Sequence, residues 1–303
     1  MVFSALLLGL IPSFLVVGLG GLVRRRLSEN AWTGLDRLNF EILFPALLFT
    51  AAASRPIDPA RILVIGPSVW AILTLGLVLG YGARRFGPER FLDFAGGWQN
   101  AWRFNSAVAF VAVGALTHAD MAMMAIVAGV AVPVANVFAV SALSRGNALS
   151  FGATLQRIAL NPFLLASLGG VLVGLSGVTP PALLIAPLVL LAQAAIPIAL
   201  ISLGATLDWR ALTRLTPFSG IICGVKLIAL PAVTFVTCWV LNADPAVFSI
   251  LTMFAALPTA SSAHILASAF GADRTLSATV IAQSTLLSAV TVPIWITLVE
   301  LTL

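Results

Sequence analysis

At 303 residues, with 60% of them apolar and only 9% charged, the chain is unlike a soluble domain, which carries about 25% charged residues. Its apolar content suffices for roughly nine or ten spanning helices at ~20 residues each, and unbroken runs such as 62–80 exclude a transmembrane barrel, whose strands alternate in polarity. The net charge of +5 includes no basic run longer than Arg24-Arg25-Arg26, so it reads as membrane topology and not as a nucleic-acid surface.

Apolar runs between charged or turn-forming breaks predict ten helices, at 2–23, 35–54, 61–83, 93–115, 121–143, 158–178, 181–207, 214–241, 245–270 and 274–300. The first has its arginines after the apolar run and no basic segment before it, which predicts a membrane helix and not a cleaved leader. In the second, Glu41 lies ~9 Å from the helix start with Arg37 four residues earlier, an ion pair at the span's end or a protonated coupling site. Gly76 and Gly80 in the third, like Gly170 and Gly174 in the sixth, have the small-xxx-small spacing of close helix packing.

The fourth span holds the densest polar cluster, Gly96-Gly97-Trp98-Gln99-Asn100-Ala101-Trp102-Arg103-Phe104-Asn105-Ser106. Polar groups in hydrocarbon are costly, so such a cluster is a functional hypothesis by default. Arg103 sits ~15 Å along the helix, near the midplane, where it grips an anion or pairs structurally with Asp93. Asn105 reads as a substrate contact or as interhelical glue. Asn136, beside Pro133, is a further polar candidate in the fifth span.

In the eighth span Lys226 lies twelve residues in, too deep to snorkel easily, and balances a carboxylate or neutralises the scaffold. Cys223 and Cys238 flank it, too far apart along one helix (~22 Å) to pair. The ninth reads Leu257-Pro258-Thr259-Ala260-Ser261-Ser262-Ala263-His264. Pro258 removes one helical hydrogen bond and obstructs the carbonyl four residues back, so it kinks or breaks the span. His264 is a packed histidine or a proton relay. Gln283 is the candidate of the tenth span, and Trp32, Trp209 and Trp295 near span ends read as interfacial anchors.

Of the sixteen Lys and Arg, twelve fall on odd-numbered loops, two on even ones (Arg55, Arg61) and two within spans (Arg103, Lys226). The positive-inside rule then places the odd loops in the cytoplasm and both termini outside. Phe44-Pro45-Ala46 and Ile196-Pro197-Ile198 align at an offset of 152, which also lays the fourth span over the ninth. Five spans per half force the second copy into the opposite orientation, an inverted repeat. The expected organisation is a first five-helix repeat at 1–143, a cytoplasmic linker at 144–157 and a second repeat at 158–303.

Arg103-Phe104-Asn105, the stretch from Leu38-Asn39 to Pro45-Ala46-Leu47-Leu48-Phe49, Ala256-Leu257-Pro258, and Gln283-Ser284-Thr285-Leu286-Leu287-Ser288 to Pro293-Ile294-Trp295 together resemble the auxin efflux carrier family, nearly end to end. The resemblance implies an all-α polytopic membrane protein of two inverted five-helix repeats, with broken fourth and ninth helices that cross. It also implies transport of small organic anions such as malonate, malate or auxin, and a homodimer. By it Asn105 matches the crossover asparagine and Pro258 the crossover proline. Two features depart: no proline follows Asn105, and the long cytoplasmic loop of plant members is absent, which argues against auxin itself.

The expected function is secondary transport of a small mono- or dicarboxylate by alternating access in a bacterial inner membrane. Substrate is expected at Asn105, Arg103, Pro258, Thr259, Ser261, Ser262, Asn136 and Gln283, with Glu41, Lys226 and His264 as coupling or charge-balancing groups. Lipid is the expected surrounding partner, and no cofactor, metal or nucleic acid is expected. A cation or proton antiporter of related architecture is the alternative, but it calls for a carboxylate in the broken helices, where only Asp93 stands near. An enzyme is not expected, since neither HExxH nor an acidic pair within spans occurs, and no phosphate-binding loop supports ATP-driven transport.

Overall fold

The computed structural model describes residues 12, 15–53, 59–145, 156, 160, 162–178, 180–260 and 263–303. Among the described residues every regular element is helical. Residues 15–23 are helical and lead to α1 (Glu29–Leu38), which continues through a π-helical turn, Asn39–Leu43, into α2 (Phe44–Ala53). There follow α3 (Pro59–Tyr81), α4 (Phe91–Trp98), α5 (Ser106–Val113) and α6 (Met121–Ser144). The later helices are α7 (Pro162–Ser176), α8 (Ala182–Thr206), α9 (Pro217–Gly224) and, after a second π turn at Val225–Ala229, α10 (Leu230–Val240). The chain closes with α11 (Pro245–Ala256), α12 (Ala263–Ala269) and α13 (Arg274–Thr302).

Among the described residues five helical stretches are long and apolar enough to cross a membrane: Leu63–Phe86, Met121–Ser144, Ala182–Ala205, Pro217–Val240 and Arg274–Thr302. Each coincides with a predicted span. The predicted fourth and ninth spans are instead each divided, α4 from α5 and α11 from α12. The second helix begins at Glu29, six residues before its apolar run, because the Ser28 hydroxyl accepts the Ala31 N–H and caps an amphipathic first segment. Most of the predicted linker 144–157 lies outside the described residues.

Three of the eleven acidic residues cap helix starts. Asp120, Asp244 and Asp273 are N-caps whose carboxylates accept backbone N–H groups of α6, α11 and α13, where negative charge also meets the positive end of the helix dipole. Asp93 accepts the Asp273 N–H at 2.8 Å and lies 3.7 Å from Arg90, joining α4 to the start of α13.

Both π turns end two residues before a proline, Pro45 and Pro231. Proline has no N–H and its ring obstructs the carbonyl four residues back, and a widened turn accommodates that local disruption. For Pro231 the affected carbonyl is that of Leu227, and the Trp295 indole N–H donates to it at 2.9 Å. Trp295 is therefore only 9% exposed and packs against the second π turn instead of anchoring at an interface. Trp32 is likewise buried, its indole N–H on the Arg24 carbonyl. Trp209 alone of the three is exposed.

Gly76 and Gly80 of α3 meet the segment between the two halves of the divided fourth helix. A Cβ on Gly76 falls 2.8 Å from the Ala101 carbonyl oxygen, and one on Gly80 falls 2.5 Å from the Ala101 methyl. The small residues thus let α3 back directly onto the break.

Candidate functional site

The first break follows a short 3-10 turn, Gln99–Ala101. The Arg103 N–H still reaches the Gln99 carbonyl at 3.2 Å, but residues 103–105 are non-helical. Asn105 restarts the helix as the N-cap of α5, its Oδ1 accepting the N–H groups of Ala107 (3.0 Å) and Val108 (3.2 Å). An Asn N-cap gives a defined helix start after the unwound segment without a following proline.

The second break begins at Leu257, where α11 ends. Pro258 has no N–H to give the Phe254 carbonyl, and the Leu257 N–H makes only a long 3.4 Å contact with it. The Thr259 N–H, which in a continuous helix would serve the Ala255 carbonyl, donates instead to the Ser284 hydroxyl of α13 at 3.3 Å.

The two breaks meet. The Asn105 N–H donates to the Pro258 carbonyl at 2.9 Å, so each unwound segment satisfies a backbone group that the other has released, as burial demands. Around this link runs a buried polar network. Asn100, wholly buried, accepts the Thr259 hydroxyl at 3.0 Å and donates to the Gly97 carbonyl (2.9 Å) and to Ser277 of α13 (3.2 Å). Gln99 donates to the Ala263 carbonyl of α12 at 3.1 Å and accepts from the Arg103 guanidinium at 3.2 Å.

Asn105 is buried, and its amide nitrogen makes no hydrogen bond among the described residues. Arg103 is half-buried and among the described residues its guanidinium bonds only Gln99, which uses one of its fork of N–H donors. The pairing of Arg103 with Asp93 that the sequence allows is not what the fold makes, since Asp93 turns to Asp273 and Arg90. Amide and guanidinium donors with no partner among the described residues thus adjoin the positive end of α5, a combination suited to an anion.

A cavity of about 320 Å³ runs along the next turns of α5, lined by Val108, Val111 and Ala112, by Leu200 and Leu203 of α8, and by Thr285 and Ser288 of α13. Its wall is almost wholly apolar, and the buried Thr285 hydroxyl has no hydrogen-bond partner among the described residues.

The other sequence candidates fall in different places. Thr259 is committed to Asn100, and Pro258 acts through its carbonyl. Ser261 and Ser262 lie outside the described residues. Gln283 is buried but faces away from the breaks, donating to the Ala211 carbonyl at 3.0 Å, while its neighbour Ser284 meets Thr259. Asn136 is half-buried on α6 with no hydrogen bond among the described residues. Glu41 is exposed and paired with Arg37 at 2.8 Å, the surface ion pair that its spacing suggests. His264 is half-buried at the start of α12. Lys226 is buried beside the end of α11, its Nζ 3.5 Å from the Ala255 carbonyl.

Sequence reading passed over Ser277, Ser284 and the Asp36–Ser202 hydrogen bond that ties α1 to α8. A serine on an apolar helix carries no spacing signal of its own. Gln99 and Asn100 lay within the polar cluster, and their role appears only once Thr259, 159 residues away, is brought beside Asn100.

Residues 149–296 match the family model described as membrane transport protein. Over 295 residues, 93% of this chain and 92% of the relative, the sequence is 27% identical to a protein of Rhizobium meliloti (strain 1021) named "Putative malonate transporter". It is also 27% identical, over 291 residues and 89% of each chain, to an "Uncharacterized transporter" of Methanothermobacter thermautotrophicus (strain ATCC 29096 / DSM 1053 / JCM 10044 / NBRC 100330 / Delta H). With a family match over its second half and relatives along nearly all its length, the chain is similar to membrane transport proteins.

Proposed function

We propose that this transporter carries small organic anions, mono- or dicarboxylates such as malonate or malate, by secondary active transport with alternating access around the crossing of the two breaks. The observation that carries the reading is the joining of two unwound segments through the Asn105–Pro258 backbone bond, with unengaged donors of Asn105 and Arg103 beside the positive end of α5. Discontinuous helices of this kind hold anionic groups at half-helix N-termini in inverted-repeat transporters. The similarity to a protein named as a malonate transporter agrees with a carboxylate substrate.

The reading includes two inverted five-helix repeats, 1–143 and 158–303, joined by a cytoplasmic linker at 144–157. The family match, starting at 149, begins near that boundary. The distribution of arginines favours both termini on the outer side of a cytoplasmic membrane. A cation or proton antiporter would need an acid in the breaks, and neither 99–106 nor 257–260 contains one.

Thermal unfolding of the purified protein against a panel of carboxylates tests this directly. A ligand that binds the folded state raises Tm with concentration. A carboxylate response that Arg103→Gln weakens, while a neutral analogue is unaffected, supports the assignment. Stabilisation by sodium or protons with no carboxylate response would overturn it.

A further inference from the structure

Lys226 is 1% exposed, and no carboxylate lies within ion-pair distance of it among the described residues. A lone buried ammonium is costly unless fixed dipoles replace its water. Here they do. The second π turn carries Lys226 against the C-terminal end of α11, where its Nζ faces the Ala255 carbonyl at 3.5 Å and the Phe254 ring at 5.9 Å to the centroid. That carbonyl is open because the Thr259 N–H has gone to Ser284, and helix C-termini carry partial negative charge. In transporters with broken helices, half-helix C-termini and freed carbonyls are where a coupling cation is held.

We propose that the Lys226 ammonium is a built-in cation for the second break, occupying the place at the end of α11 that a bound sodium would otherwise take, so that transport needs no sodium. Lys226 is on this account a positioning residue, acting on substrate through the end of α11 and the segment 257–260. The inference rests on the crossing being the transport site. It also separates Lys226 from Arg103, the two basic residues that sequence places inside spans: one neutralises the protein's own backbone and the other is open to the substrate.

The test is thermal unfolding of purified protein in sodium chloride against choline chloride at equal ionic strength, for the wild type and for Lys226→Met and Lys226→Ala. The wild type is expected to give the same Tm in both salts. Lys226→Met, which keeps the bulk and removes the charge, lowers Tm by about 5 °C. Lys226→Ala, which also vacates space, gains a saturable rise in Tm with sodium or ethylammonium that choline does not give. A saturable sodium response in the wild type, which needs no variant to fold, would overturn the proposal, as would an unchanged Tm in Lys226→Met. Failure of the carboxylate reading is distinguishable, because it appears as silence toward every carboxylate whatever the salt.

Discussion

The Asn105 side chain has two ends: Oδ1 caps α5, and the amide nitrogen has no partner among the described residues. Replacing it by alanine removes both, with a cap loss of about 1 kcal/mol, so Asn105→Ala mixes stability with binding. Asn105→Asp separates them. It keeps the cap acceptor, adds a negative charge at the helix start and removes the free donors. We expect near-native Tm with carboxylate affinity lowered by roughly 10- to 100-fold, the loss of a charge-assisted hydrogen bond. Affinity equal to wild type, by titration calorimetry, would place the substrate elsewhere. Arg103→Lys retains charge and loses the planar fork. It should weaken binding less than Arg103→Gln, and equal losses in the two would argue that the charge is not what the substrate reads.

At the scale of elements, proline and glycine do most of the shaping. Pro258→Ala supplies an N–H for the Phe254 carbonyl and removes the ring that obstructs it. α11 should then extend by part of a turn, drawing the 258 carbonyl from the Asn105 N–H. The expected result is a Tm at or above that of the wild type together with loss of carboxylate uptake in proteoliposomes, and uptake that survives would show that the break need not persist. Gly76→Val forces a Cβ to 2.8 Å from the Ala101 carbonyl. Overpacking of this kind costs about 1–3 kcal/mol, so Tm should fall, whereas valine at Gly66, which has open space, should leave it nearly unchanged. The second break was legible from Pro258, which had to kink or break its span, while the first came through the family resemblance, the polar run ending at Asn105 reading by itself as a functional cluster. The π turns were not legible, since a proline within an apolar run signals a kink but not whether the helix widens, bends or stops.

For the whole molecule, the sequence carried the helical class and the positions of the long spans, because runs of about 20 apolar residues have one economical solution in a bilayer. What it concealed was pairing at long range. The bond from Asn105 to Pro258 and that from Asn100 to Thr259 each cross more than 150 residues, and nothing local announces them. The same distance misled the reading of Trp295, whose position near a span end suggests an interface until the Leu227 carbonyl is found beneath it. The proposed orientation rests on twelve of sixteen basic residues lying on one set of loops. A cysteine introduced at Arg85 should therefore resist an impermeant thiol reagent in intact cells and react after lysis, and labelling in intact cells would invert the assignment.

The joint between the two breaks is made by main chain alone, a peptide N–H at 105 and a peptide carbonyl at 258. Any residue but proline at 105 can make the donor half of that bond, and any residue at all can make the acceptor half. So long as Pro258 keeps the ninth helix broken, the other side chains around the crossing can change without unfastening it. Such a joint leaves the chemistry of its surroundings free to vary while the crossing itself stays in place.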